Sequence, residues 1–300
     1  MNAPLSMNFK ISSLIVGISL LTACTSNPPA PPTPPFKAPA KVKVGLALGG
    51  GAAKGFAHIG VIKMLEANGI KIDVVAGTSA GSVVGAMYAS GMDAFALQEH
   101  AFSLDESRIR DVNLLGGGLV KGQKLQDYVN QLVGNKAMQQ FPKPFAAVAT
   151  ELETGNRVAF SRGNTGQAVR ASSSIPGVFM PVIIGNKSFV DGGVVSPVPV
   201  DAARELGANF VIAVDISSKA TGVAATSTLG VMSQAVVIMG QKLGEQELAR
   251  ADIVIRPKVG KIGAADFDMK NIAILEGEKA ALAMLPLIRQ KMAEKANTNK

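Results

Sequence analysis

From Lys41 onward the sequence predicts an α/β fold: three layers, α/β/α, around a largely parallel central sheet. Three observations carry this expectation. Short apolar runs rich in β-branched residues alternate with stretches of helical spacing. Glycine-rich turns stand where the first of these runs gives way to a helix. Apolar residues make up 47% of the 300 residues, enough to cover both faces of a buried sheet.

The elements follow in order. "KVGLAL" (43–48) reads as the first strand, and glycine-rich turn residues lead from it into a helix near 53–68. "KIDVVAG" (71–77) is the second strand, and Ser79 opens the next helix, which carries Val83, Val84, Met87 and Tyr88 on one face. The polar stretch 92–142, with Gly116-Gly117-Gly118 and few strand signals, predicts a helical insertion or flap. "FAAVATEL" (145–152) and "NRVAFS" (156–161) are joined by Thr154-Gly155 and predict a hairpin. A short apolar run ends at Asp191, and "NFVIAVDI" (209–216) and "ADIVIRP" (251–257) read as further buried strands. Leu229, Met232, Val236, Met239 and Leu243 recur every three or four residues, which predicts a core-facing helix; contact with a bilayer is the alternative. No internal repeat and no domain boundary is visible after residue 41.

The N-terminal segment has a different character. Lys10 precedes the apolar run "ISSLIVGISLL", which ends at "LTAC". A positive residue, a short h-region and small residues before a cut site describe a signal peptide. The run falls short of the roughly 20 apolar residues of a membrane span. Leu21-Thr22-Ala23-Cys24 resembles the lipobox of bacterial lipoproteins, which implies cleavage before Cys24 and lipid on its sulfur. Seven of the 16 prolines fall between Pro28 and Pro39, so the segment after Cys24 reads as a semi-rigid polyproline tether. The expected organisation is a signal peptide over 1–23, a lipidated cysteine and tether over 24–41, and one domain over 42–300. Cys24 is the sole cysteine, which excludes an internal disulfide. The formal charge of +8 is scattered along the chain with no long basic block, so nucleic acid is not an expected partner; mild attraction to anionic surfaces is.

Gly77-Thr78-Ser79-Ala80-Gly81 places a serine on a strand-to-helix turn, where a nucleophile can stand exposed at a strand's carboxyl end. A serine that only caps the helix is the plain alternative. "GLALGGGAAKGFAHIG" (45–60) also runs from strand to helix. Lys54 stands where a dinucleotide fingerprint needs its third glycine, and Gly55 is followed by Phe56 where a P-loop needs lysine. An oxyanion hole of backbone donors suits the loop better. A serine nucleophile needs a base. His58 falls with Val61, Ile62 and Leu65 on an apolar stripe and is expected to be packed, while nothing places His100 at the turn. Asp191, at a strand end before Gly192-Gly193, is the carboxylate candidate; a plain Asp-Gly turn is its alternative and Asp215 its rival.

In combination these stretches resemble the patatin-like phospholipase family, and its bacterial lipoprotein members in particular. The resemblance rests on Gly50-Gly51-Ala52-Ala53-Lys54-Gly55, Gly77-Thr78-Ser79-Ala80-Gly81, "RASSSIPGVFMP" (170–181) and Asp191-Gly192-Gly193, in the family's order, and spans about residues 43 to 290. It implies a Ser–Asp dyad with Ser79 as nucleophile and Asp191 as proton acceptor, and an oxyanion hole from the N–H groups of Gly50, Gly51 and Ala52. No metal or cofactor is implied. The implied substrate is a phospholipid or other lipid ester, met at a membrane that lipidated Cys24 holds close. In a Gram-negative host the expected place is the periplasm-facing side of the outer membrane. Two other functions are compatible with the same residues: a non-catalytic lipid-binding envelope lipoprotein, and an acyltransferase using the same dyad. Ala52 replaces a glycine common in the family, and Lys54 stands where the family has Lys or Arg; a surface or loop-anchoring role is expected for it ahead of contact with a phosphate.

Overall fold

The computed structural model describes residues 41–105, 107, 109, 111, 120–220 and 226–298. The expected signal peptide, Cys24, nearly all of the tether and Gly116-Gly117-Gly118 lie outside these residues. Residues from Ala38 to Lys300 form one compact unit.

The core is an eight-stranded sheet. β1 (Val44–Leu48) lies at its centre, flanked by β2 (Val74–Thr78) and β7 (Phe210–Val214). β3 (Phe145–Glu151) extends it beyond β2, and β8 (Ile253–Ile255) beyond β7, all five parallel. β4 (Arg157–Phe160), β6 (Lys187–Asp191) and β5 (Val182–Ile184) add an antiparallel margin on the β3 side. β1, β2, β3 and β7 are buried along their whole length, which is why their sequences read as continuous apolar runs. The expected β3–β4 hairpin is present, with Gly155 at φ 73° in its turn.

Side chains alternate between two cores. Leu46, Leu48, Val75, Ile212 and Val214 face a layer that includes α1 (Phe56–Ala67), α2 (Ala80–Ala89) and α8 (Lys270–Thr298). Ala47, Ala76, Val211 and Ala213 face the opposite layer, made by α6 (Val200–Glu205) and the end of α7 (Thr228–Leu248). This second face is lined with small residues because α6 and the turn after it lie close: a Cβ on Gly45 would stand 3.3 Å from Ala203 Cβ in α6 and 2.6 Å from Ala208 Cβ just beyond it. On the first face α1 and α8 meet backbone to backbone, since Cβ atoms at Gly60 and Gly277 would lie 2.0 Å from the carbonyl oxygens of Ile274 and Ala57.

The stretch 92–142 supplies α3 (Ala94–Ser103), capped by Asp93, and α4 (Gln123–Leu132), consistent with a helical insertion. α4 packs on α5 (Thr165–Ser172).

The stripe on α7 departs from expectation. Met232, Val236 and Met239 are 62%, 51% and 57% exposed, and Leu243 is only partly covered; the Leu229 side chain is outside the described set. The inward face carries Gln234, Val237, Gly240, Gln241 and Gly244 instead. Glycines allow the helix to lie close, with the Gly244 Cβ position 3.8 Å from Pro197 Cβ. Periodicity identified the helix but could not say which face the body would take.

Candidate active site

The order β3-β2-β1-β7-β8 reverses direction at β1, and the loops after β1, β2 and β7 gather at that carboxyl edge. Open α/β sheets form their crevices there. Gly49–Gly55 follow β1, Ser79 follows β2 and Asp215 follows β7.

Ser79 is the N-cap of α2 with φ 53° and ψ −125°, a conformation a non-glycine residue holds only under constraint from its surroundings. Several contacts supply that constraint. A Cβ on Gly77 would meet Gly81 O at 2.3 Å, and one on Gly81 would meet Leu48 O at 2.1 Å, so strand and helix pack only with glycine at both positions. Gly55 likewise makes room for Ala80, 2.7 Å from its Cβ position. The Ser79 N–H donates to Ser172 Oγ at 3.0 Å, and Ser172 Oγ in turn donates to Val148 O on β3. The Ser79 hydroxyl therefore stands at the positive end of α2.

Asp191 ends β6 and is held from three sides. Its N–H donates to Ser174 O at 2.9 Å, its carbonyl accepts from Thr150 Oγ1 at 2.9 Å, and Oδ1 accepts the Gly193 N–H at 2.7 Å. Oδ2 is buried without a hydrogen-bond partner. Burial pushes the carboxyl up from 3.8 to about 6; the nearby Ser79 hydroxyl and the Gly193 N–H favour the charged form and offset part of that rise. Ser79 and Asp191, remote in sequence, are thus brought together.

Asp215, the rival carboxylate, is occupied. It accepts from Ser217 Oγ at 2.6 Å and Ser217 N at 3.1 Å, and pairs with Lys219 Nζ at 3.3 Å and Arg256 Nε at 3.4 Å. Burial opposes its charge, but these partners outweigh burial and hold the carboxyl below its ordinary range. The histidines divide as follows. His58 is fully buried, with Nε2 2.8 Å from Gly49 O, and desolvation lowers it to about 4. It props the glycine-rich loop from beneath. His100 lines the same cleft as Ser79, a placement with no warning in the sequence.

The three-donor expectation for the loop narrows to two. The Gly50 N–H is committed to Pro197 O at 3.0 Å. Among the described residues, the N–H groups of Gly51 and Ala52 have no acceptor, and Ala52 holds φ 51°. Lys54 is buried and its Nζ donates to Ser218 Oγ, tying the loop to the segment after β7. Desolvation lowers its pKa, and Asp215 pulls the other way.

An apolar cleft of about 280 Å³ opens beside Ser79. Phe56 and Ile59 of α1, Val83 and Met87 of α2 and Leu97 of α3 wall it, with Ile175, Val178 and Phe179 at another side. The buried Ser173 Oγ, which has no hydrogen-bond partner, belongs to the same lining. The insertion therefore contributes a wall of this cleft. Ser172 and Ser173 lie in a stretch the sequence singles out, but their separate roles depend on which way each hydroxyl points. Among the described residues no group of three or more His, Cys, Asp or Glu side chains could hold a metal, and no helix is long and apolar enough to cross a membrane.

A three-layer α/β/α body with a constrained serine at the head of a helix, at the carboxyl edge of the sheet, defines the class of protein. The chain belongs to the patatin-like phospholipase family, whose Patatin model matches residues 46–204. An uncharacterised NTE family protein of Mycobacterium tuberculosis is 38% identical over 198 residues, covering 65% of this chain and 54% of the relative. The lysophospholipase NTE1 of Coccidioides immitis is 33% identical over 181 residues, covering 58% of this chain and 12% of that protein. The chain thus spans about half the length of the first curated relatives it matches, and far less of the fungal one. Among solved structures, VipD of Legionella pneumophila shares the fold with TM-score 0.53 at 14% identity, over 82% of this chain and 67% of that one.

Proposed function

We propose that the chain is a lipid-anchored serine acyl hydrolase acting on phospholipids or related lipid esters. The observation that carries this reading is the meeting of a conformationally constrained Ser79 with a buried Asp191 whose Oδ2 lacks a partner. Ser79 Oγ attacks the ester carbonyl carbon while its proton passes to Asp191 Oδ2. Charge on the carbonyl oxygen is stabilised by the Gly51 and Ala52 N–H groups. Collapse breaks the bond to the alcohol, which leaves with the proton from Asp191 as the acyl group stays on Ser79. Water then attacks the acyl-enzyme, again giving its proton to Asp191, and the fatty acid departs as Ser79 recovers a proton. A carboxyl near pKa 6 is a stronger base than an ordinary aspartate and is still mostly ionised at neutral pH. The apolar cleft supports an acyl chain as the group that lies beside Ser79.

The family membership and the relative named a lysophospholipase support a lipid ester over other esters. Lipid on Cys24, with a proline-rich tether of roughly 50 Å reach, would keep the domain beside a membrane of the cell envelope. Fluorophosphonate labelling of the unit Ala38–Lys300, with the modified peptide located by mass spectrometry, tests the nucleophile. Stoichiometric label on Ser79, lost in Ser79→Ala, is expected. A folded protein that takes no label would overturn the reading in favour of a non-catalytic lipid binder. Product analysis with and without a lysolipid acceptor then separates hydrolysis from acyl transfer.

A further inference from the structure

α7 turns its apolar side chains to water. Val231, Met232, Val236, Ile238 and Met239 are all about half exposed or more, over an arc of the helix wide enough to be a face. From Thr228 to Gln241 no residue carries a charge. A helix that hides glycine and glutamine while exposing methionine, valine and isoleucine has its polarity inverted relative to a water-facing one.

Two observations indicate what covers this face. The first is its place beside the candidate site. The Gly240 Cβ position lies 4.0 Å from Gly193 O, so the helix rests on the turn that follows Asp191. That turn exposes Val194, and the lining of the acyl cleft exposes Val178. The second is charge. Lys242, 73% exposed along its side chain, sits one turn beyond Met239 at the end of the same face, where its Nζ pairs with Glu245 at 3.1 Å. The loop after β7 touches the helix where the Ala220 N–H reaches Gln241 Oε1, and there exposed Lys219 and Arg256 share the single carboxylate of Asp215. Lys219, Lys242 and Arg256 thus face the two carboxylates of Asp215 and Glu245, which leaves one positive charge in excess beside the apolar face, on a chain whose formal charge is +8.

We propose that the outward face of α7 docks the domain onto an anionic lipid bilayer, with the apolar side chains entering the interface and Lys242, Lys219 and Arg256 at headgroup level. The choice of a bilayer over another apolar partner rests on the reading of the chain as a lipid hydrolase. Docking of this kind does not depend on Cys24, and it sets the carboxyl edge of the sheet toward the surface that holds the substrate.

The test uses the unit Ala38–Lys300, which lacks Cys24, and flotation with phosphatidylcholine vesicles containing or lacking about one third phosphatidylglycerol. The wild-type unit is expected to float with the anionic vesicles and to be released as salt is raised. The triple variant Met232→Gln, Val236→Gln, Met239→Gln is expected to lose at least tenfold in partitioning at unchanged Tm and unchanged fluorophosphonate labelling in solution. Equal flotation of wild type and variant, or none by either, overturns the proposal. So does a wild-type dimer that the variant converts to monomer, because a second copy would then be the occupant. Labelling and flotation fail separately: unlabelled protein that still floats removes the hydrolase reading and leaves the docking face, whereas labelled protein that does not float does the reverse.

Discussion

Asp191→Asn tests whether the buried carboxyl is held at a cost in stability. In the folded chain the group titrates at about 6 against 3.8 when unperturbed, so between these values the folded state binds more protons than the unfolded one. Stability is therefore lost as pH rises through this window. Each pKa unit corresponds to about 1.4 kcal/mol, so the ionised carboxylate costs about 3 kcal/mol at pH 8. About half of this is already present at pH 5, since the unfolded aspartate is ionised there, and little remains at pH 4. Asparagine does not titrate. The stability of Asp191→Asn relative to wild type should increase by about 1.5 kcal/mol between pH 5 and pH 8. Any mismatch of the amide at the partnerless Oδ2 position shifts both ends equally and cancels. Urea unfolding followed by circular dichroism at pH 5, 6, 7 and 8 measures the difference directly. Curves for the two proteins that stay parallel across this range would refute the raised pKa and the burial behind it. The same ionisation should govern Ser79: fluorophosphonate labelling of wild type is expected to rise with pH and level off above about 6.

Other perturbations probe how the site is held. Ser172→Ala strips the Ser79 N–H of its acceptor inside the protein, which should cost about 1–3 kcal/mol in stability. It should also slow labelling by roughly tenfold through the loosened turn, with Ser172→Thr restoring part of the rate; unchanged labelling would show that the turn holds its shape without this bond. Gly277→Ala drives a methyl group to 2.0 Å from Ala57 O, so urea unfolding should show a loss of about 2 kcal/mol or more, and an unshifted midpoint would mean that α1 and α8 do not cross this closely.

Much of the frame was legible because buried parallel strands and strand-to-helix turns leave local traces. "KVGLAL", "KIDVVAG" and "NFVIAVDI" are continuous apolar runs for the same reason that β1, β2 and β7 are covered on both faces. The glycines around Ser79 could be read because a turn this tight excludes side chains within a few residues of itself. β5 left almost no trace, being three residues long, and the short α6 follows a proline-rich stretch without a strong period.

What tertiary structure alone decided is which groups meet and which face points where. Asp191 and Asp215 look alike in sequence, each closing an apolar run. Only the fold surrounds Asp215 with Lys219 and Arg256 and leaves Asp191 in low dielectric beside Ser79. Three consecutive loop residues offered three donors, and a single long-range acceptor, Pro197 O, removed Gly50 from the set. The spacing of Met232, Val236 and Met239 established a helix with an apolar face, yet close packing through Gly240 and Gly244 turned that face outward. Composition and periodicity are set within a few residues of chain, whereas partnership, burial and orientation depend on segments that meet only after folding.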